Sequence, residues 1–324
     1  MYKSRNALLC AFVYLATVAS LFAWKSLCVE SIVKTPPTSP IVVPEVPDGP
    51  YDITHVVPEK YLTYLEVVER LKEWHKEAPK ITEFGTYGKD RQGTDLCYLR
   101  IGTPGKPKVL IHACIHGNER LSSAATLGMM GQMLWSYKRD RELENADVAQ
   151  ANWVIANRDI YFVPVFAPET YLKQRWLEGE DPNRKWPYPG GNINNTATPI
   201  LAMRKFFEKH KFAAVMDGHT YGRIFFTPSI ASESDAAAFR EFGRKMGELA
   251  GYSYSPVSSQ PAGFAIDWYY WKGAVAAITE FGSSYHGHSQ PASVIQSEME
   301  RVFPAYLYFM QRASEIRLIG PNHG

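Results

Sequence analysis

The chain has 324 residues, 45% hydrophobic and 13% aromatic, enough apolar side chain to bury a sizeable core. Its net charge of +2, with 21% charged residues, excludes the basic stripes and long charged blocks by which nucleic acids or extended acidic partners are held. No nucleic-acid partner is expected, no internal repeat is present, and a monomer is the simplest expectation.

Residues 7–24 carry no charge and follow Lys3 and Arg5. An apolar run of that length just reaches across a bilayer, and the positive flank predicts an amino terminus held in the cytoplasm with the remainder outside it. Residues 1–30 are therefore expected to be a membrane anchor or a signal peptide. The protein would face the periplasm or the extracellular side, or be secreted if that segment is cut. Residues 31–54 contain Pro36, Pro37, Pro40, Pro44, Pro47 and Pro50, the composition of a semi-rigid spacer. A catalytic domain over 55–318 and a tail over 319–324 complete the expected organisation.

Within the domain, Leu62, Leu65, Val68, Leu71 and Trp74 recur three apart and predict a helix over 61–77. Strands are predicted over 82–87 and 95–101, separated by a polar turn, and a buried strand over 109–115. There follow a helix over 122–137, a strand over 159–166, a helix over 200–210 and a strand over 213–217. A helix over 235–250, a strand over 274–280 and a long final helix over 292–316 end the domain. Strands alternating with helices predict an α/β fold: one three-layer domain, a mixed, mostly parallel twisted sheet with helices on both faces, preceded by an N-terminal hydrophobic helix. Cys97 and Cys114 lie in strand-like runs, where two buried thiols are expected rather than a disulfide framework.

The chemistry concentrates at strand ends. His116 and Glu119 lie in HGNE after the apolar run VLIHACI, and His219 follows the run Phe212 to Met216. Two imidazoles and one carboxylate fill three tetrahedral positions of a zinc ion and leave the fourth for a water that the metal can acidify. The ends of two sheet strands are where open α/β sheets keep their sites. Glu280 closes the apolar run AVAAIT, where a carboxylate is costly without a purpose. His286-Gly287-His288 reads as an active-site rim rather than a second metal pair, because the glycine sits in a Ser/Gly/His-rich loop.

These pieces, in order with Asp181-Pro182-Asn183-Arg184-Lys185-Trp186, His219-Thr220-Tyr221-Gly222, Ile266-Asp267-Trp268 and Gln290-Pro291-Ala292-Ser293, resemble the zinc carboxypeptidase family of the carboxypeptidase A type over 61–312. The resemblance implies one zinc ion per chain on His116, Glu119 and His219, and Glu280 as general base. It implies Arg175 as stabiliser of the oxyanion and Asn183 and Arg184 as anchors for the free carboxylate of a peptide substrate. Tyr221 would also meet substrate, and Ile266 would lie at the base of the pocket for the last side chain. The reaction implied is hydrolysis of the C-terminal amide bond. Two features depart from the pattern: Ser259 stands where the family has a mobile tyrosine, and Gly117-Asn118 lack the arginine usual inside the metal motif. HGNE is reminiscent of the aspartoacylase and succinylglutamate desuccinylase branch, so an acyl-amino-acid amidohydrolase is the alternative enzyme. A non-catalytic zinc-binding module is the alternative outside enzymes.

Overall fold

The computed structural model describes residue 51 and residues 53–137, 146–189, 191–228, 232–257 and 263–320. The apolar segment 7–24, the proline-rich linker and Ser259 lie outside them. Among the described residues, no helix is long and apolar enough to cross a membrane.

The first helix, α1 (Tyr64–Glu77), starts where Thr63 and Glu66 form a reciprocal capping box, three residues after the point the apolar spacing suggests. Strands β1 (Thr82–Lys89) and β2 (Asp95–Gly102) then form an antiparallel hairpin. Next come β3 (Lys108–Ala113), α2 (Arg120–Ser136), α3 (Ala146–Asn157) and β4 (Asp159–Val163). Then follow α4 (Thr198–His210), β5 (Ala214–Thr220), β6 (Ile224–Thr227), α5 (Glu233–Ala250) and β7 (Ser253–Pro256). The last are α6 (Ala265–Trp271), β8 (Val275–Phe281) and α7 (Ile295–Arg312), the final one flanked by short 3₁₀ turns.

All eight strands join in one sheet of order β1-β2-β4-β3-β5-β8-β6-β7. Its centre, β4-β3-β5-β8, is parallel throughout; β1-β2, β2-β4 and β6-β8 are antiparallel, and β6-β7 is parallel. This is the mixed sheet expected. Side chains alternate between two faces, as the pleat requires. Val109, Ile111, Ala214, Met216, Val275 and Ala277 enter one core with α1, α2, α3, α5 and α7. Leu110, Val215, Ala276 and Ile278 enter the other with α4 and most of α6.

Several boundaries differ from expectation for local reasons. Strand β3 stops at Ala113 rather than at residue 115 because Cys114 has φ +58°, a left-handed conformation that turns the chain. Strand β5 runs on to Thr220 and so contains His219. The short strands β6 and β7, with four residues each, carry too little alternation to be read. Helix α6 is buried along almost its whole length, which erases the one-sided spacing of a surface helix. Cys97 and Cys114 are free and buried, as expected.

Gly131 of α2 marks where the chain entering the domain crosses that helix: a Cβ there would lie 2.2 Å from the Val56 carbonyl oxygen. Gly131→Ala should therefore destabilise the domain by roughly 1–3 kcal/mol despite alanine's better helix propensity. Urea unfolding checks this; an unchanged or higher midpoint would mean that the segment around Val56 does not press on α2.

Candidate metal centre

The site is built where the parallel strands β3, β5 and β8 end together. After Cys114 the chain delivers His116, then Glu119 as the N-cap residue of α2, where the helix dipole favours a carboxylate. Ser122 accepts from the Cys114 amide and donates to the Glu119 carbonyl, locking this turn to the helix. Gly117 has to be small because a Cβ would lie 2.1 Å from the Thr170 carbonyl oxygen. On the other side, the register of β5 against β8 sets His219 directly beside Glu280. Register partners on parallel strands project to one face, so the imidazole and the carboxyl share the mouth of the sheet.

His116, Glu119 and His219 are all buried, and their donor atoms lie within 4.8 Å of one another, the one such cluster of three among the described residues. Glu119 bridges the rings: Oε1 is 2.8 Å from His116 Nδ1 and Oε2 is 2.8 Å from His219 Nδ1. The Thr220 amide donates to Oε2 at 3.1 Å and Arg175 Nη1 to Oε1 at 3.4 Å. The far ring nitrogens are held as well, His116 Nε2 2.9 Å from Asp181 Oδ1 and His219 Nε2 2.9 Å from Asp217 Oδ2. With both Nε2 atoms facing carboxylates, both Nδ1 atoms point inward, the ligand presentation a tetrahedral cation needs.

Charge explains the ionisation states. Burial alone would raise the Glu119 pKa, but charged His219 and hydrogen bonds from His116 and His219 hold it at about 2. Burial opposes charge on His219, yet Asp217 and Glu119 raise its pKa well above the usual imidazole value. Asp181 and Asp217 stay below the usual carboxylate range: burial is outweighed at Asp181 by His116 and Arg175, and at Asp217 by His219 and His112. Glu280 goes the other way. Burial, with His219 opposing it and Glu119 and Asp217 adding to it, pushes its pKa up to about 8.

The remaining sequence candidates fall around this centre in different ways. Arg175 reaches it, donating to Asp181 Oδ2 through Nη2 at 2.8 Å and Nε at 3.2 Å besides its contact with Glu119. Asn183 is buried, its Oδ1 accepting from the Ala265 amide at 2.8 Å and its Nδ2 lying 3.1 Å from His219 Nε2. Arg184 is half-buried, donates to the Asn183 carbonyl and lies 4.3 Å over the Phe264 ring. Tyr221 is 40% exposed and packs edge-on against His288. Ile266 has no exposed surface and packs in the second core. Of the tyrosines on the neighbouring elements, Tyr252 bonds Glu298, Tyr254 pairs with Thr227, and Tyr269 is fully buried.

Two residues enter that sequence reasoning gave no role. Asp181 and Asp217 hold the metal-facing histidines; the only hint was their place in the DPNR and MDGH segments. His288 lies with Nδ1 3.8 Å from Glu119 Oε1, on a loop clamped by Gln290, whose Nε2 donates to the Ser283 and Gly287 carbonyls. The rim reading of His286-Gly287-His288 fits this position.

Known proteins arrange themselves around the same features. The family model described as zinc carboxypeptidase matches residues 67–305. Metallocarboxypeptidase A of Trichophyton tonsurans is 23% identical over 209 residues, covering 52% of this chain and 48% of the relative. Carboxypeptidase A4 of Mus musculus is 23% identical over 266 residues, covering 67% of this chain and 61% of that one. The chain thus spans about half to three fifths of the length of these relatives. Among solved structures, thrombin activatable fibrinolysis inhibitor superposes with a TM-score of 0.71 at 17% identity, over 79% of this chain and 75% of its own. The carboxypeptidase A from Helicoverpa armigera gives 0.66 at 19% identity, over 79% and 74%. At such identities the structural likeness carries the fold alone. The family match, however, encloses the whole sheet centre and all three metal-facing side chains, and the chain belongs to the zinc carboxypeptidase family.

Proposed function

We propose that this protein is a zinc-dependent carboxypeptidase that hydrolyses the C-terminal amide bond of a peptide. The observation that carries the reading is the set of three converging donors with Glu280 one strand away at the same register position. The donor set fits zinc: two Nδ1 atoms and a carboxylate face one another in a buried, acid-rich centre, and each ring is oriented from behind by a carboxylate. One zinc per chain would be held by His116, Glu119 and His219. When bound, zinc supplies a Lewis acid and brings the pKa of a water toward neutrality.

The side chains do the rest. Glu280, beside His219 on the neighbouring strand, takes a proton from the attacking water and delivers it to the leaving amine. Its raised pKa suits a group that holds and releases a proton near neutral pH, and a nearby dication would draw that value down. Arg175, 30% exposed at its side chain, offers a fixed positive charge beside the centre for the developing oxyanion. Arg184 donates to the Asn183 carbonyl through Nη1, and the other donors of its guanidinium suit a free terminal carboxylate. Asn183 joins it in the anchoring role and also meets His219, while Tyr221 lines the mouth. The export reading belongs to the same proposal: the uncharged run 7–24 after Lys3 and Arg5 supports a tether facing outside the cytoplasm, or secretion if it is cut.

The function is tested by incubating the protein with free-acid peptides, their C-terminal amides and N-acyl amino acids, with and without a zinc chelator, and reading products by mass. Chelator-sensitive release of single C-terminal residues is expected; turnover of the acyl amino acids alone would replace the peptidase by an amidohydrolase. Glu280→Gln should keep zinc and lower kcat by roughly 10²–10⁴-fold, and a parent-like rate would remove Glu280 as the base. Arg184→Ala should cut kcat/KM on free-acid peptides roughly 10–100-fold and abolish the preference over amides. Equal losses on both substrate types would instead place the carboxylate elsewhere.

The raised pKa of Glu280 also predicts a pH dependence in zinc-free protein. Between the ordinary value of 4.5 and about 8 the folded state keeps a proton that the unfolded state has lost. Stability is therefore full below 4.5, falls as pH rises, and has lost this contribution above about 8. Each pKa unit corresponds to about 1.4 kcal/mol. Zinc-free Glu280→Gln should match the parent near pH 4.5 and exceed it in stability near pH 9. Chemical denaturation across that range would refute the environment described for Glu280 if the two profiles ran parallel.

A further inference from the structure

His112 and Asp217 are both completely buried and belong to neither the donor set nor the groups facing the mouth. The register of β3 against β5 makes them direct neighbours, two residues below the metal-facing level on the same face as His219. Asp217 Oδ2 lies 2.9 Å from His219 Nε2, and Oδ1 lies 3.2 Å from His112 Nδ1, off the line of a good hydrogen bond. His112 is wedged by ring contacts with Phe166 at 5.2 Å and Tyr269 at 5.7 Å. An acid and an imidazole are thus sealed in apolar surroundings behind one ligand, where two polar groups are costly unless they serve each other or a neighbour.

A second group competes for the same nitrogen. Asn183 Nδ2 lies 3.1 Å from His219 Nε2, and an amide nitrogen can only donate. A neutral ring whose Nε2 accepts from Asn183 must carry its proton on Nδ1, and that nitrogen is then closed to a metal. A ring whose Nε2 donates to Asp217 leaves Nδ1 free to bind. Which neighbour wins decides whether His219 is a ligand.

We propose that Asp217, steadied by His112, is a positioning residue that keeps the His219 proton on Nε2 and so leaves Nδ1 as the metal donor. The inference rests on the zinc reading proposed above. Asp181 orients His116 in the corresponding way from the exposed side, next to Arg175, whereas Asp217 acts from inside the sheet, where no solvent molecule can take over its task.

Asp217→Asn tests this because it keeps the size of the side chain and turns an obligate acceptor into one that can donate. His112→Phe keeps the ring and its stacking while removing the partner of Oδ1. Zinc affinity of the full chain would be measured by competition with a chromophoric chelator, beside the melting temperature of the zinc-free form and the visible spectrum of the cobalt(II) form. Asp217→Asn should weaken zinc roughly 10–100-fold and alter the cobalt spectrum; His112→Phe should weaken it by a smaller factor in the same direction. Affinity within twofold of the parent in both variants overturns the inference, even if their zinc-free melting temperatures fall, since that marks a merely structural role. Should Asp217→Asn not fold, His112→Phe decides by the same criterion. A parent chain that binds no zinc overturns the metal reading and this inference together, a result distinct from a parent that binds zinc and variants that bind it equally well.

Discussion

Everything at the mouth of the sheet depends on the burial of one carboxylate. Glu119 is 2% exposed, and a carboxylate taken that far from water costs several kcal/mol unless its oxygens are met by donors. Two imidazoles, a backbone amide and a guanidinium meet them, and they come from three separate places in the chain. The carboxylate can therefore be accommodated only if β3 and β5 end at the same level and the loop bearing Arg175 folds back over them. The local cost is visible at Cys114, a non-glycine residue in the left-handed region immediately after β3, a conformation worth of order 1–3 kcal/mol. That strain is held by two backbone-directed bonds, from the Cys114 amide to the Gly218 carbonyl and to Ser122.

The same constraint extends to the neighbouring strand. Since Glu280 sits in register with His219, its position follows from the sheet and not from a flexible loop, which would suit the proton-transfer role proposed for it. The strand ends are then tied from behind by Glu298 of α7. This buried acid accepts from Arg223, Tyr252 and the Gly282 amide, while the Gly222 amide donates to the Gly282 carbonyl. Residues just past His219 and just past Glu280 are thus fastened to one helix, so a shift of either strand end would have to break a buried charged cluster.

Much of this was legible in the sequence because the informative residues follow apolar runs. HGNE after VLIHACI, His219 after Phe212 to Met216, and Glu280 after AVAAIT are charges or ligands placed where a strand ends, and the parallel α/β pattern puts such ends together. What resisted reading was the pairing across strands. Nothing in MDGH says that Asp217 faces His112 rather than solvent, because that follows from a register set a hundred residues away. Ile266, read from a pattern position as the base of a pocket, is fully buried in the second core beside residues of α4 and α6, a setting that its apolar side chain alone would equally have suggested.

The acid content of the centre gives the last step. Glu119, Asp181 and Asp217 are all held in the charged form, and the positive charge that balances them at the innermost position sits on His219. In the zinc proposal, a cation held between the two Nδ1 atoms would displace the proton on His219 Nδ1, so binding would release a proton. Under the zinc proposal the same space would be filled either by the His219 proton facing Glu119 or by the metal ion. Burial and the same carboxylates favour the protonated form of Glu280, and a dication at the centre would favour losing that proton, so the proposed proton acceptor would become more available with the metal in place.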